Sequence, residues 1–465
     1  MPVLLATDVL VWLLVAAAAA YGLHCRRHEH LAAPWARVFR SPAAIASTVV
    51  LAFYFGAGLL DSLHFRPQLP QKPDAGQKVY SVEVLSVLDW TLAHLRGRTE
   101  KTYSAPLAIR SFAREQVELP GGKIAREFPR LQFGGAHLAK EGHWASDVGW
   151  RVFKGLGFAA AILLAAAIGM RILRVRWPEV PWNAAVWALG GLLVLLVPAL
   201  VLSGGYHVLG TDKVGNDVFY QALKSIRTSL VIGTVTTLVL LPLGIALGIM
   251  AGYFRGWVDD VIQYLYTTLS SIPGVLLIAA SVLMMQVVID RHPEWFATAA
   301  HRADAKLLVL CAILGLTSWT GLARLLRGET LKLSELEYIQ AAHALGVRGG
   351  RVISRHILPN VAHIVIIAMV MDFSGLVLAE AVLSYVGVGV DPSMTSFGTM
   401  INAARLEMGR EPMVWWSLAA AFAFMFVLVL AANLFADAVR DAFDPRVRVA
   451  RAPGPAAASR EGAAA

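Results

Sequence analysis

The sequence predicts an all-α polytopic membrane protein, and three observations carry that prediction. Hydrophobic residues make up 57% of the 465 and charged residues only 16%, against about a quarter charged in soluble domains. The apolar residues gather into nine runs, each near the roughly 20 residues that cross a bilayer core of ~30 Å. Basic residues concentrate in alternate loops between the runs, as topology alone requires of short cytoplasmic loops. The net charge of +9 is therefore explained without a nucleic-acid partner.

The runs lie near residues 4–23, 42–60, 155–173, 183–204, 228–254, 261–289, 305–323, 362–388 and 414–437. The first ends in alanines that resemble a signal-peptide cleavage site. Its basic residues follow the apolar stretch instead of preceding it, so it reads as a retained span. Arg26, Arg27, Arg37 and Arg40 come after it, and Arg171, Arg174 and Arg176 close the third run. Arg324, Arg327, Lys332, Arg348, Arg351 and Arg355 separate the seventh and eighth, and Arg440, Arg446, Arg448 and Arg451 follow the ninth. These loops share one side, read as cytoplasmic; the N-terminus is then extracytoplasmic and the C-terminus cytoplasmic. Trp182, Tyr206, Tyr253 and Trp257 near span ends fit an interfacial aromatic belt.

Residues 61–150 form the one sizeable polar stretch, an extracytoplasmic insert by this count. Val84, Leu85, Leu88, Leu92 and Leu95 recur at helical spacing within it. Pro120-Gly121-Gly122 punctuates a turn. The stretch is short and polar for a self-standing core. Cys25 and Cys311 make no disulfide framework. His24, Cys25, His28 and His30 fit no zinc-ligand spacing, so no metal site is expected there. Asp212 and Asp217 read as caps of the helix that follows them in preference to metal ligands. Asp372 and Glu380 lie inside an apolar run and form a candidate intramembrane polar site, either a proton relay or hydrogen-bonded structural carboxyls.

The loop between the seventh and eighth runs is the most patterned part of the chain. Ser334 and Glu337 have capping-box spacing. Alanines and Leu345 carry a helix to Gly346, which can end it in the left-handed conformation. Gly349 and Gly350 break the chain again, a second short helix reaches Ile357, and Pro359 closes it. The product is a helix–turn–helix with small residues at its exposed corner, shaped to dock another protein.

That stretch resembles the EAA loop of ABC importer permeases, and more closely its form in the dipeptide, oligopeptide and nickel importers. Glu337, Tyr338, Ala341, Ala342, Ala344, Leu345, Gly346, Arg355, His356, Ile357, Leu358, Pro359 and Asn360 match the pattern. Gln340 departs, standing where the family has glutamate. Gly210-Thr211-Asp212 through Gly215-Asn216-Asp217 resembles its G-T-D-x-x-G-R-D segment, with Asn216 for arginine. Leu378-Ala379-Glu380 through Gly389, then Ser396-Phe397-Gly398, and the tail Arg440-Asp441-Ala442-Phe443-Asp444-Pro445-Arg446 resemble further family stretches. The resemblance spans about residues 200–448.

The resemblance implies a six-helix permease core over residues 182–448, with the EAA-type loop at 334–360. Three extra transmembrane helices precede it, two within 1–60 and one within 151–181, and 449–465 would be a disordered cytoplasmic tail. It implies a multi-pass inner-membrane subunit, not an enzyme, that moves peptides or similar small solutes. ATPase subunits would dock on Glu337, Tyr338, Gln340, Ala341, Ala342, Leu345, Gly346, Ile357 and Pro359. A second homologous permease and an extracytoplasmic substrate-binding protein would complete the assembly. No G-x-x-x-x-G-K-[ST] occurs; Gly121-Gly122-Lys123 lacks the upstream glycine and the hydroxyl. ATP and Mg would therefore bind the separate ATPase. The competing classes are a secondary transporter driven by an ion gradient through Asp372 and Glu380, and a sensor or scaffold that moves nothing.

Overall fold

A computed structural model describes residues 1–68, 80–119, 123–296 and 298–443. The turn expected at Pro120-Gly121-Gly122, the Asp444-Pro445-Arg446 end of the tail motif and the tail 449–465 lie outside the described residues. Within them, nine helical segments are long and apolar enough to cross a membrane.

In chain order, α1 (Ala6–Arg27) leads to the short α2 (Glu29–Val38) and to α3 (Pro42–Asp61). The insert supplies α4 (Val87–Thr91) and α5 (Ala93–Arg96). A long hairpin follows, α6 (Trp144–Arg176) and α7 (Trp182–Ser203). Next come α8 (Val218–Phe254), α9 (Gly256–Ser271), α10 (Gly274–Arg291), α11 (Ala299–Ser318) and α12 (Thr320–Ser334). The patterned loop holds α13 (Glu337–Ala344) and α14 (Gly349–Val352); α15 (Leu358–Val386), α16 (Phe397–Arg405) and α17 (Trp416–Phe443) complete the chain.

Helix α8 organises the rest. Its 37 residues span ~55 Å at 1.5 Å each, so both ends project beyond a ~30 Å bilayer core. It packs against α3, α11, α12 and α15. Small residues permit the closest of these approaches: a Cβ at Gly248 would sit 2.7 Å from the Ala323 carbonyl oxygen. Helix α7 packs on α6 and α3 instead.

Two sequence expectations are corrected. The run read as one span over 261–289 is two helices, α9 and α10. Pro273 lacks an N–H and disfavours helix at the residue before it, and Ile272 is extended, with φ −89° and ψ 133°. The helix expected to begin at Val84 starts later. Leu85 and Ser86 form strand β3, which pairs with β2 (His64–Phe65), itself antiparallel to β1 (Pro2–Val3). Ser86 then caps α4 in a capping box: its Oγ accepts from Asp89 N at 3.0 Å while Asp89 Oδ2 accepts from Ser86 N at 2.9 Å. Leu88, Leu92 and Leu95 still share one face, packed on Tyr54 of α3 and on Phe219, Leu223 and Ile226 of α8. A second antiparallel pair, β4 (Glu115–Leu119) and β5 (Lys123–Glu127), also belongs to the insert.

Polar ties fasten the flanking segments to the core. Arg227 of α8 donates to Asp8 Oδ1 at 2.6 Å and to Thr7 Oγ1 at 2.9 Å. Thr7 N donates in turn to Asp304 Oδ2 of α11 at 3.1 Å. The insert is held through buried His207, whose Nδ1 lies 2.7 Å from Asp217 Oδ2 and whose Nε2 makes an ionic contact with Glu100 at 3.4 Å. Glu100 also accepts from the backbone N–H groups of Gln132, Phe133 and Gly134 at 2.8–3.1 Å. Burial alone would lower the His207 pKa, but the two carboxylates outweigh it and lift it to about 9. Burial would likewise raise Glu100; His207 and the three amides win and bring it to about 2.

The two ends of the bundle are distinct. Strand β1 ties the start of the chain to the insert. At the opposite end Trp35 of α2 meets Phe443 of α17 edge-on, ring centroids 5.3 Å apart.

Candidate functional site

The patterned loop is built on an apolar seat and turns its other face outward. Ile339 and Ala342, one turn apart on α13, are buried with Leu240 and Ile249 of α8 and Leu322 and Leu326 of α12. Val352, Ile357 and Val361 join the same cluster from the loop's second arm. The spacing of three puts both α13 anchors on one helix face. Glu337, Tyr338, Gln340, Ala341, Leu345 and Gly346 are left exposed, Leu345 to 82%.

The local geometry departs from the sequence expectation at three points. Ser334 does not cap α13: it ends α12, and its hydroxyl donates to the Thr330 carbonyl at 2.8 Å. The N-cap is Leu336, with no side-chain cap. Gly349 and Gly350 open α14 instead of breaking the chain. Pro359 does not close a helix: it lies early in α15, within a helical run that continues from Gly349 to Val386. A π-helical turn over Ile353–Ile357 joins the two.

Gly346 behaves as its residue type predicts, with φ +75°. Its N–H bonds the His343 carbonyl at 2.9 Å, and Val347 N–H bonds the Ala342 carbonyl at 3.1 Å. Those two bonds define a Schellman ending, and the Ala342–Val347 apolar contact that goes with it lies in the loop's seat.

The motif residues also bind one another. Asn360 Nδ2 donates to Tyr338 Oη at 3.2 Å and to the His356 carbonyl at 2.7 Å. Tyr338 and His356 rings lie 6.0 Å apart. These contacts clamp the first arm to the second. Gln340 Nε2 donates to the Glu335 carbonyl at 3.2 Å, a bond a glutamate there could not make, since an ionised carboxylate only accepts. Ala342 and Ile357, expected at the docking surface, are buried and hold the loop from beneath.

The intramembrane carboxyls are separate. Glu380 is fully buried and accepts from Ser384 Oγ at 2.6 Å and Ser396 Oγ at 2.9 Å. Ser396 in turn caps α16, so Glu380 fixes that helix to α15. Asp372 lies eight residues earlier, ~12 Å along the axis at 1.5 Å per residue, half-exposed. Asp217 caps α8, accepting from Phe219 N at 2.9 Å and Tyr220 N at 3.1 Å. Asp212 caps no helix; it closes the preceding turn through Val214 N and Asn216 N. Among the described residues no three His, Cys, Asp or Glu side chains gather as metal ligands would.

Comparison with known proteins decides the family. Residues 244–449 match the family described as the binding-protein-dependent transport system inner membrane component. The glutathione transport system permease protein GsiD of Pectobacterium atrosepticum is 35% identical over 244 residues, covering 52% of this chain and 73% of that protein. The oligopeptide transport system permease protein OppC of Mycobacterium bovis is 30% identical over 288 residues, covering 58% of this chain and 92% of that protein. The chain is an ABC importer permease of the peptide family. As such a permease it is a membrane-spanning transporter subunit and not an enzyme, and ATP is hydrolysed by a separate ATPase. A methionine ABC transporter structure, MetNI in an inward-facing conformation, aligns with 49% of the permease at 15% identity and a TM-score of 0.37. The match at 244–449 takes in the patterned loop, both intramembrane carboxyls and α9–α17. It begins inside α8, so α1–α7 and the insert precede it.

Proposed function

We propose that this permease carries peptides or similar small solutes inward across the inner membrane, driven by ATPase subunits that dock on the outer face of residues 337–359. One observation carries the docking reading: the loop is two-faced. Ile339, Ala342 and Ile357 lock it to α8 and α12, while Tyr338, Ala341, Leu345 and Gly346 are free to meet a partner. Force applied to the outer face reaches two membrane helices without a flexible intermediary. ATP and Mg belong on the ATPase. The relatives named for glutathione and for oligopeptides support a peptide-like cargo.

The N-terminus and insert face outward and the C-terminus faces the cytoplasm, on the distribution of basic residues. The pairing of β1 with the insert, and of α2 with α17, agrees with that parity. A second homologous permease and an extracytoplasmic substrate-binding protein complete the importer. Residues 182–448 form its permease core, with α3 packed against it.

Reconstitution in vesicles with the neighbouring subunits tests the reading. Uptake should require ATP and the binding protein, and Leu345→Asp should release the ATPase subunit, a loss of about tenfold or more in retention for one interface anchor. Full uptake with no ATPase present would overturn it.

A further inference from the structure

The break between α9 and α10 lies deep in the membrane. Tyr266 and Leu269 of α9 join the apolar cluster that holds Leu240 of α8. Ile278 and Val282 of α10 join the cluster that holds Val231 and Val235. The break at Ile272–Pro273 therefore sits level with α8 between Val235 and Leu240, around Thr236, the midpoint of that 37-residue helix.

This stretch is polar and open. Thr267, Thr268, Ser270 and Ser271 are exposed, as are Ile272, Pro273 and Gly274. Among the described residues no protein donor reaches the carbonyls of Ser270, Ser271 or Ile272. Irregular backbone with unmet carbonyls is not tolerated against lipid; it survives at this depth only within protein or beside water.

Asp372 stands at the same level. It is the midpoint of α15 (Leu358–Val386) and shares a face, at spacings of four, seven and eleven, with Val365, Ala368, Ala379 and Leu383. Val365 and Ala368 belong to the cluster that holds Tyr266 and Leu269, and Ala379 and Leu383 to the one that holds Ile278 and Val282. Among the described residues this half-exposed carboxyl has no hydrogen-bond or ion-pair partner. An unpaired intramembrane carboxyl is costly unless it faces water or a cationic ligand.

We propose that the α9–α10 break and Asp372 line the water-filled solute path at mid-membrane, where the carboxylate and the free carbonyls receive a cationic amine of the passing solute. The cargo class rests on the peptide reading above; the lining of the path does not.

The test uses the full importer in membranes, with Cys25→Ser and Cys311→Ala as background. Single cysteines are placed at Ser271, at Val82 on the insert and at Val194 on the exposed face of α7. A charged, water-soluble methanethiosulfonate reagent should modify Ser271→Cys at a rate within about tenfold of Val82→Cys and leave Val194→Cys unmodified, because water reaches the first two and hydrocarbon covers the third. Ser271→Cys as inert as Val194→Cys would overturn the path assignment, whether lipid or the second permease covers the break. In the same vesicles Asp372→Asn should slow trialanine uptake about tenfold, the loss of one charge-assisted bond, with N-acetyltrialanine little changed and Asp372→Glu largely restored. Equal slowing of both peptides would remove the amine contact. A wild-type importer that carries neither peptide would sink the cargo reading while the labelling result still decides the path.

Discussion

The Tyr253 ring, at the end of α8, stacks on the His343 imidazole of α13 with centroids 5.5 Å apart and planes 25° from parallel. It is the point at which the central membrane helix touches the docking loop through a single pair of rings. Gly349 also lies close against this side chain: a Cβ there would lie 3.0 Å from Tyr253 Oη and 3.1 Å from Cε1. One aromatic side chain is thus gripped by both arms of the loop.

Removing that grip should separate docking from transport. Tyr253→Ala is expected to leave the ATPase subunit bound, since the exposed face is untouched, while uptake per ATP hydrolysed falls roughly fivefold, the effect of about 1 kcal/mol of lost coupling. The ratio of solute moved to phosphate released in vesicles checks this. An unchanged ratio would show that force enters by another route.

Gly346→Ala should destabilise the loop by about 1–2 kcal/mol, the cost of placing an L-residue in the left-handed region. Gly346→Asn should cost less, because asparagine visits that region more readily. Retention of the ATPase subunit on a tagged permease should rank glycine above asparagine above alanine.

The insert's attachment should depend on pH in a defined direction. His207 is raised in the folded protein, to about 9 from its ordinary 6.5. Its contribution is therefore complete below pH 6.5 and disappears as pH climbs through 9. Glu100 is lowered, to about 2 from 4.5, so its share is complete above pH 4.5 and disappears as pH falls through 2. The attachment is strongest between about pH 4.5 and 6.5 by these shifts. Melting in detergent should decline from pH 6.5 to a plateau above 9, and His207→Gln should flatten that limb of the curve.

Buried Arg227 should be costly to remove alone. Arg227→Ala leaves buried Asp8 with the His64 imidazole, 2.7 Å from its Oδ2, as its remaining ionic partner, an expected loss of about 3 kcal/mol, at the low end for breaking a buried pair. Arg227→Met combined with Asp8→Leu and His64→Leu should recover much of that loss, since no buried member of the cluster is then left without its counter-charge. Thermal aggregation of the two variants in one detergent would rank them.

The sequence made the spans readable because each is a long apolar run, and the docking loop readable because its glycines, alanines and Pro359 stand at informative spacings. Gly346 and Asp217 perform the capping that their residue types suggest. Other features were hidden for physical reasons. The break at Pro273 was obscured because uncharged Thr267–Ile272 joined the apolar stretches before and after it into one run, although Ser-Ile-Pro-Gly was itself a usable signal. Ser334 was misassigned because its capping spacing competes with the continuation of α12. The ties of Thr7 to Asp304 and of Glu100 to His207 join residues far apart in the chain, and no local pattern encodes such pairs. Gln340, a departure from the family pattern, gained a reason only once the Glu335 carbonyl was placed beside it.

The contact between Thr7 and Asp304 has a consequence for how the protein is made. Helix α1 is synthesised well before α11, yet one of its anchors is 297 residues downstream. Until α11 has been synthesised and inserted, α1 must wait in the bilayer with Asp8 held only by neighbours from α8 and the insert. Helix α1 is thus made early and fully fixed late, so a truncation that ends before Asp304 should strand it in a form the quality-control proteases can recognise.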